Sequence, residues 1–450
     1  MKAVDLGRPA AGWPSGPPGD SLAEFAADRL GFLARAAREF GDFVPFRLGR
    51  RQMVLVNHHE WIEEALLSPI TKDFSKDYLT ELMPPLIRRH LLLKDPDSWL
   101  AERRLSQPAF HHDRVVRYAT AMTVEADRMV AGWADGGRLD IAAAMRRMTL
   151  HILCRSLFDV DISSQSGDAA ALIDLLLAQI DARVTRHGGR IVSLSAIPGD
   201  LKLLLRLRRL ERELDRLISE RSTEADHGDD LLTRLTKTVG PDGYLLSRAR
   251  IRYVVVPLFF AGHETTAAAL AWMVYLLALH PQAKAQVLEE LDRVVGGRPA
   301  RESDLPSLKY LGSVVNESLR LYPPIWGFGR QAIRPTQVGP YSVPEGTVLW
   351  MSQWVMHRDP RWFERPDDFI PERWNDGLAS RLPRCVYFPF GAGSRRCLGG
   401  TFAAWEATLV LATVMPRFDL ILDESAQIAP EASFTLRPRE AMTMITRRRH

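Results

Sequence analysis

Apolar residues recur every three to four positions over most of the chain, and alternate or run together in strand fashion only briefly. The helical spacing predicts helices over residues 58–67, 99–110, 115–133, 141–157, 311–321 and 401–414. Residues 168–222 also read as helical, broken near 188–189 and 197–199, and 225–242 reads as a polar connection. Strand-like runs fall at 43–48 and 53–56 about the turn Gly49-Arg50-Arg51, and again at 338–343 and 347–351. The Pro- and Gly-rich opening predicts an extended lead-in over 1–40. The longest helical pattern begins after Ser247, a plausible N-cap, and stops at Pro281. At 1.5 Å per residue it would be roughly 50 Å long. It is apolar nearly all round, as a buried helix is, yet carries Ala261-Gly262-His263-Glu264-Thr265-Thr266 at its middle. A carboxylate and two hydroxyls there cost several kcal/mol unless paired or hydrated, and such a violation of pattern marks a functional site. Pro257 predicts a kink one turn earlier. There is no repeat and no flexible linker, so the expectation is one mainly α domain over 1–450, with a small β-rich part at about 41–56 and 338–351.

The 450 residues are 46% hydrophobic and 25% charged, an ordinary globular composition that excludes a disordered or fibrous chain. Fifty-nine Lys and Arg against 55 Asp and Glu leave +4, too thin an excess for a nucleic-acid partner. Three cysteines exclude a disulfide framework and favour a reducing, cytoplasmic home. The longest apolar run, residues 267–279, is shorter than the ~18 of a membrane span, and the N-terminus has no signal-like apolar stretch; no membrane anchor is expected. Several short patterns fail on inspection. His263-Glu264 lacks the second zinc histidine, because position 267 is Ala267. His357-Arg358-Asp359 runs into Pro360 without the rest of a kinase site. Gly391-x-Gly393 meets Arg396 where a dinucleotide loop needs glycine.

Cys397 is set differently. Phe390-Gly391-Ala392-Gly393-Ser394-Arg395-Arg396-Cys397-Leu398-Gly399 offers what a thiolate ligand needs. A glycine turn aims backbone N–H groups at the sulfur, Phe390 screens it, and Arg395 and Arg396 offset its charge. Gly399 leaves room for a large planar cofactor. Cys154 and Cys385 lack this setting and read as inert buried thiols.

The pattern Phe390-x-x-Gly393-x-Arg395-x-Cys397-x-Gly399 resembles the heme-binding loop of the cytochrome P450 superfamily, and further motifs follow in the family's order from about residue 40 onward. Glu317-x-x-Arg320 alone would be an i,i+3 ion pair worth ~0.3 kcal/mol; with Pro371-Glu372-Arg373-Trp374 it resembles the family's buried Glu-Arg-Arg network, with Trp374 where the family has Phe. The resemblance implies the cytochrome P450 fold, heme b (iron protoporphyrin IX) and Cys397 as its iron ligand. Trp99, Arg103, Arg330 and Arg395 match the positions that hold the heme propionates. Glu264 and Thr265 match the acid–alcohol pair, in which Thr265 hydrogen-bonds dioxygen and takes an i−4 carbonyl, while Glu264 links it to bulk protons.

By the same resemblance, Phe260, Ala261, Thr265, Ile325, Trp326, Gly327, Phe434 and part of residues 74–90 hold substrate. Their apolar character implies a lipophilic small molecule. The expected reaction is hydroxylation or epoxidation with O2. The chain shows no flavin, nicotinamide or iron–sulfur fingerprint, so electrons are expected from a separate ferredoxin or flavodoxin with its reductase. Arg88, Arg89, Arg103, Arg104 and Arg384 are candidates to receive it. A heme-thiolate peroxygenase or isomerase, or a heme sensor without turnover, would not need the Glu264-Thr265 relay, and its presence argues against both.

Overall fold

The computed structural model describes residues 12–67, 72–76, 78, 96–162, 200–223, 230–240, 243–423 and 425–449. Most of residues 74–90 and 163–199, with Arg88 and Arg89, lie outside the described residues.

The expected extended lead-in is helical from Leu22, as α1 (Leu22–Ala27) and α2 (Arg29–Phe40). Asp28 caps α2 by accepting from the Gly31 N–H at 2.9 Å, and the apolar stripe Leu30, Phe32, Leu33 and Ala36 is buried. The Pro- and Gly-rich stretch behind the expectation ends at Gly19. The helices that follow are α3 (His59–Leu67), α4 (Pro96–Ser106), α5 (His112–Ala131), α6 (Ile141–Phe158), α7 (Asp200–Thr223), α8 (Leu231–Thr236), α9 (Arg248–Leu279) and α10 (Pro281–Val294). After them come α11 (Lys309–Leu321), α12 (Gln353–Met356), α13 (Leu378–Arg381) and α14 (Gly400–Val414).

α9 runs unbroken through Pro257. Its Ser247 cap accepts from the Arg250 N–H at 3.2 Å. Among the described residues it alone is long and apolar enough to cross a membrane, but 72% of its most apolar window is buried inside the protein. It packs on α6 so closely that a Cβ on Gly262 would stand 2.7 Å from Leu153 Cδ1. Residues of α5, α6, α9, α11 and α14 share one large apolar core.

The β-rich part draws on both segments expected for it, about 41–56 and 338–351, and adds short strands from 74–75 and 328–332. β1 (Phe43–Leu48), β2 (Arg51–Val56), β3 (Phe74–Ser75), β5 (Phe328–Ala332) and β8 (Val348–Met351) form one sheet in the order β1-β2-β8-β5-β3. β2 pairs parallel with β8, Met53 opposite Val348. Smaller sheets are β4 (Arg138–Asp140) with β12 (Thr443–Arg448) and β9 (Phe418–Leu422), β6 (Thr336–Val338) with β7 (Tyr341–Val343), and the hairpin β10 (Pro430–Ala432) with β11 (Leu436–Pro438).

Candidate active site: a cavity shared by the cysteine loop and the central helix

A cavity of about 470 Å³ brings together elements far apart in sequence. Cys397, Phe390 and Arg395 line it from the cysteine loop, and Ala403, Ala404 and Ala407 from α14. Ala261, Thr265 and Thr266 line it from α9, Ile325, Trp326 and Gly327 from the segment before β5, and Ser433 and Phe434 from the β10–β11 turn. Phe260, expected in this wall, is not among the lining residues; its ring sits edge-on to Phe259. A residue one step along a helix is turned by about 100°, so Ala261 and Thr265 share a face that Phe260 does not.

The loop geometry follows from its glycines. Gly391 and Gly393 take φ of 69° and 71°, and a Cβ on Gly393 would lie 1.9 Å from the Leu66 carbonyl oxygen, so no other residue fits there. The Cys397 N–H donates to the Phe390 carbonyl at 2.9 Å, and Arg396 N–H to Gly393 at 3.0 Å. Cys397 opens onto the cavity, whereas Cys154 and Cys385 are packed in the core and their thiols are pushed up to about 12 by burial. Burial also raises the Cys397 thiol, but the Gly399 N–H and the charges of Arg103 and Arg396 pull it the other way. These cations are not quite the expected pair. Arg103 donates to the Arg396 carbonyl at 2.9 Å, while Arg395 lies over the Trp99 ring, 4.4 Å from its centroid. Among the described residues, the Phe110 ring alone comes near the missing Cβ of Gly399, at 3.4 Å.

Lys76, Arg330 and Arg395 all line the cavity, and no Asp or Glu among the described residues does. Burial and the charges of Arg330 and Arg395 hold the Lys76 ammonium well below its usual range. Arg330 is pushed down to about 10 by burial, with Arg395 adding to the shift. Like charges crowded into a buried edge are relieved by an anionic partner, and guanidinium groups suit carboxylates. Tyr78 shapes this edge: its hydroxyl accepts the Gly329 N–H at 2.7 Å. Lys76 and Tyr78 fall in the 74–90 segment expected to reach the pocket, but nothing in the local pattern singles out either residue or a role at a cation edge.

On α9, Thr265 Oγ1 donates to the Ala261 carbonyl at 2.8 Å, the i−4 bond expected, and Thr266 Oγ1 to Gly262 at 3.2 Å. Thr149 of α6 donates to the His263 carbonyl at 3.1 Å. Glu264 is only 4% exposed, and Thr435 Oγ1 stands 3.5 Å from its Oε1. His263 is buried and pushed down to about 4 by that burial. It is a packed neutral imidazole, not a cavity residue.

The loop is braced from behind. Glu317 and Arg320 are wholly buried. Glu317 accepts from Arg320 Nε and Nη2 at 2.9 and 2.8 Å, and from Arg373 Nε at 3.0 Å. The Ile370 N–H and Trp374 Nε1 complete its shell at 2.9 and 2.8 Å. Trp374, read as a departure from the Phe pattern, therefore adds a donor that Phe lacks. Arg320 Nη1 donates to the His357 carbonyl at 2.8 Å, and His357 Nε2 accepts the Phe388 N–H at 3.0 Å. The triplet set aside as a false kinase motif joins the charge network to the cysteine loop.

A loop-borne cysteine and an alcohol-bearing helix thus line one cation-edged cavity, and comparison with known proteins shows the family. The sequence model of the family described as Cytochrome P450 matches residues 23–445. Cyclooctatin synthase of Streptomyces melanosporofaciens is 32% identical over 92% of this chain and 89% of its own length. Cyclooctat-9-en-7-ol 5-monooxygenase of the same organism is 33% identical over 87% and 85%. Pentalenene oxygenase of Streptomyces avermitilis is 32% identical over 91% of each chain. The chain belongs to the cytochrome P450 family. It is a heme-dependent monooxygenase, an oxidoreductase that uses O2 and electrons from a redox partner on a lipophilic small molecule. The donor set fits that cofactor: one accessible sulfur for iron, a flat aromatic beside it, and crowded cations for acid substituents.

Proposed function

We propose that this P450 hydroxylates or epoxidises a compact cyclic terpenoid, with electrons from a ferredoxin or flavodoxin and its reductase. The carrying observation is the single cavity that holds Cys397 and Thr265 together inside mostly apolar walls. The names of the three relatives support the substrate class. The cofactor is read as heme b. Cys397 would hold its iron, while Arg330, Arg395 and Lys76, with Trp99 and Arg103 behind them, would hold its acid groups. Phe390 and Gly393 shape the loop, and Gly399 leaves the helix start bare beside it. Heme supplies the activation of O2 and transfer of one oxygen atom.

The protein's own part is orientation and proton supply. The Thr265 hydroxyl has one proton, now committed to the Ala261 carbonyl; rotating it away frees that proton for the cavity and leaves a carbonyl for water. Glu264, one position earlier and buried, is the carboxyl group that passes Thr265 a replacement proton and takes its own from bulk water. Ala261, Ile325, Trp326, Gly327 and Phe434 exclude water and pack substrate. Glu317, Arg320 and Arg373 are structural, holding the loop. We read the chain as one domain and as cytoplasmic, as its few scattered cysteines favour. The test is spectroscopic. Reduced protein with CO is expected to give the red-shifted thiolate band, and the tricyclic terpene cedrene is expected to shift the iron spin state. A globin-like band or no bound heme overturns the site; a normal band with no response to terpenes overturns the substrate class.

A further inference from the structure

The β10–β11 turn, Ser433-Phe434-Thr435, reaches two places at once. Phe434 lines the cavity and keeps 41% of its surface uncovered. The next residue, Thr435, is 1% exposed and points its Oγ1 at Glu264. The turn is tied on both sides. Trp272 Nε1 of α9 donates to the Leu436 carbonyl at 2.9 Å, and Trp326 Nε1 to the Ser433 carbonyl at 2.8 Å. The Leu436 N–H donates to the Pro324 carbonyl at 2.8 Å. A hydroxyl presented to a buried carboxylate from so well-anchored a backbone orients that carboxylate.

Resting on the monooxygenase reading above, we propose that Thr435 is a positioning residue for Glu264, and that substrate packed on Phe434 sets this contact through the turn they share. The 3.5 Å separation is longer than the about 2.5–2.7 Å of a tight hydroxyl–carboxylate bond. A sub-ångström displacement of the turn therefore sets how tightly Thr435 holds the acid. Occupancy of the pocket and readiness of the proton supply are linked by one pair of adjacent side chains.

The test uses heme-loaded enzyme, cedrene as probe, and a plant-type ferredoxin with its reductase. It reads how consumed O2 divides between hydrogen peroxide and the sum of water and oxygenated cedrene. Thr435→Val keeps the shape and removes the hydroxyl; it is expected to raise the peroxide share about three- to tenfold, the worth of one hydrogen bond, while Thr435→Ser stays within about twofold of the parent. In a Glu264→Gln background Thr435→Val is expected to add nothing, and Phe434→Ala is expected to make the division insensitive to cedrene. The proposal is overturned if Thr435→Val leaves the division unchanged, if the serine variant is as impaired as the valine, if the effect persists in Glu264→Gln, or if Phe434→Ala stays responsive to cedrene. A parent enzyme lacking the thiolate CO band, or giving no spin shift with cedrene, overturns the underlying functional reading instead.

Discussion

Glu317→Gln probes how the cysteine loop is held. The native carboxylate accepts five hydrogen bonds, from Arg320 twice, Ile370, Arg373 and Trp374. A glutamine offers one acceptor oxygen and turns two N–H donors toward groups that are themselves donors. Two guanidinium groups also lose their counter-charge. Breaking a buried ion pair from one side costs about 3–5 kcal/mol, against a whole-domain stability of about 5–15 kcal/mol. Trp374→Phe removes one charge-assisted bond and is expected to cost less, about 1.5–3 kcal/mol. Because both substitutions act on one carboxylate, Trp374→Phe should cost little once Glu317 is already Gln. The loss should reach the cofactor, since Arg320 and His357 link this network to Phe388. The assay is heme bound per polypeptide, from the CO difference spectrum, alongside the urea midpoint. Full heme content and an unmoved midpoint in Glu317→Gln, or an undiminished Trp374→Phe cost in that background, would refute the reasoning.

Lys76→Ala and Arg330→Ala are each expected to speed heme loss to an apomyoglobin scavenger by roughly ten- to a hundredfold, the worth of one charge-assisted contact; unchanged rates in both would remove these cations from the cofactor's edge. Acid should weaken the fold through two imidazoles. Burial holds His263 and His357 at about 4 and about 3 in the folded protein, below the ordinary 6.5, so unfolding takes up protons once pH falls through that ordinary value. Their contribution is full above about pH 6.5 and is lost progressively toward their folded values; urea midpoints that stay level or rise on acidification to about pH 4.5 would contradict it.

Much of this was legible because it depends on local pattern. Ser247 as a cap, Pro281 as a stop and the apolar run between them delimit α9 almost to the residue, and the Thr265-to-Ala261 bond follows from i−4 geometry alone. The cysteine loop was readable because glycines at positive φ and a lone thiol make a dense local signature. What escaped depends on residues that meet only in three dimensions. Lys76 joins Arg330 and Arg395 across hundreds of residues, and Thr435 meets Glu264 through a hairpin with no distinctive composition. Helix α2 was missed because the Pro- and Gly-rich stretch before it outweighed a short amphipathic stripe. Trp374 stood out only as a departure from Phe, since its indole N–H matters only beside a buried carboxylate.

The parallel pairing of β2 with β8 has a consequence during synthesis. Met53 leaves the ribosome long before Val348, so the apolar hairpin of β1 and β2 must wait with an open edge while most of the chain is made. An unsatisfied edge of that kind recruits other strands and clumps. Heterologous production should therefore improve with lower temperature or added chaperones, and a fragment ending before residue 328 should go into inclusion bodies however well its helices form.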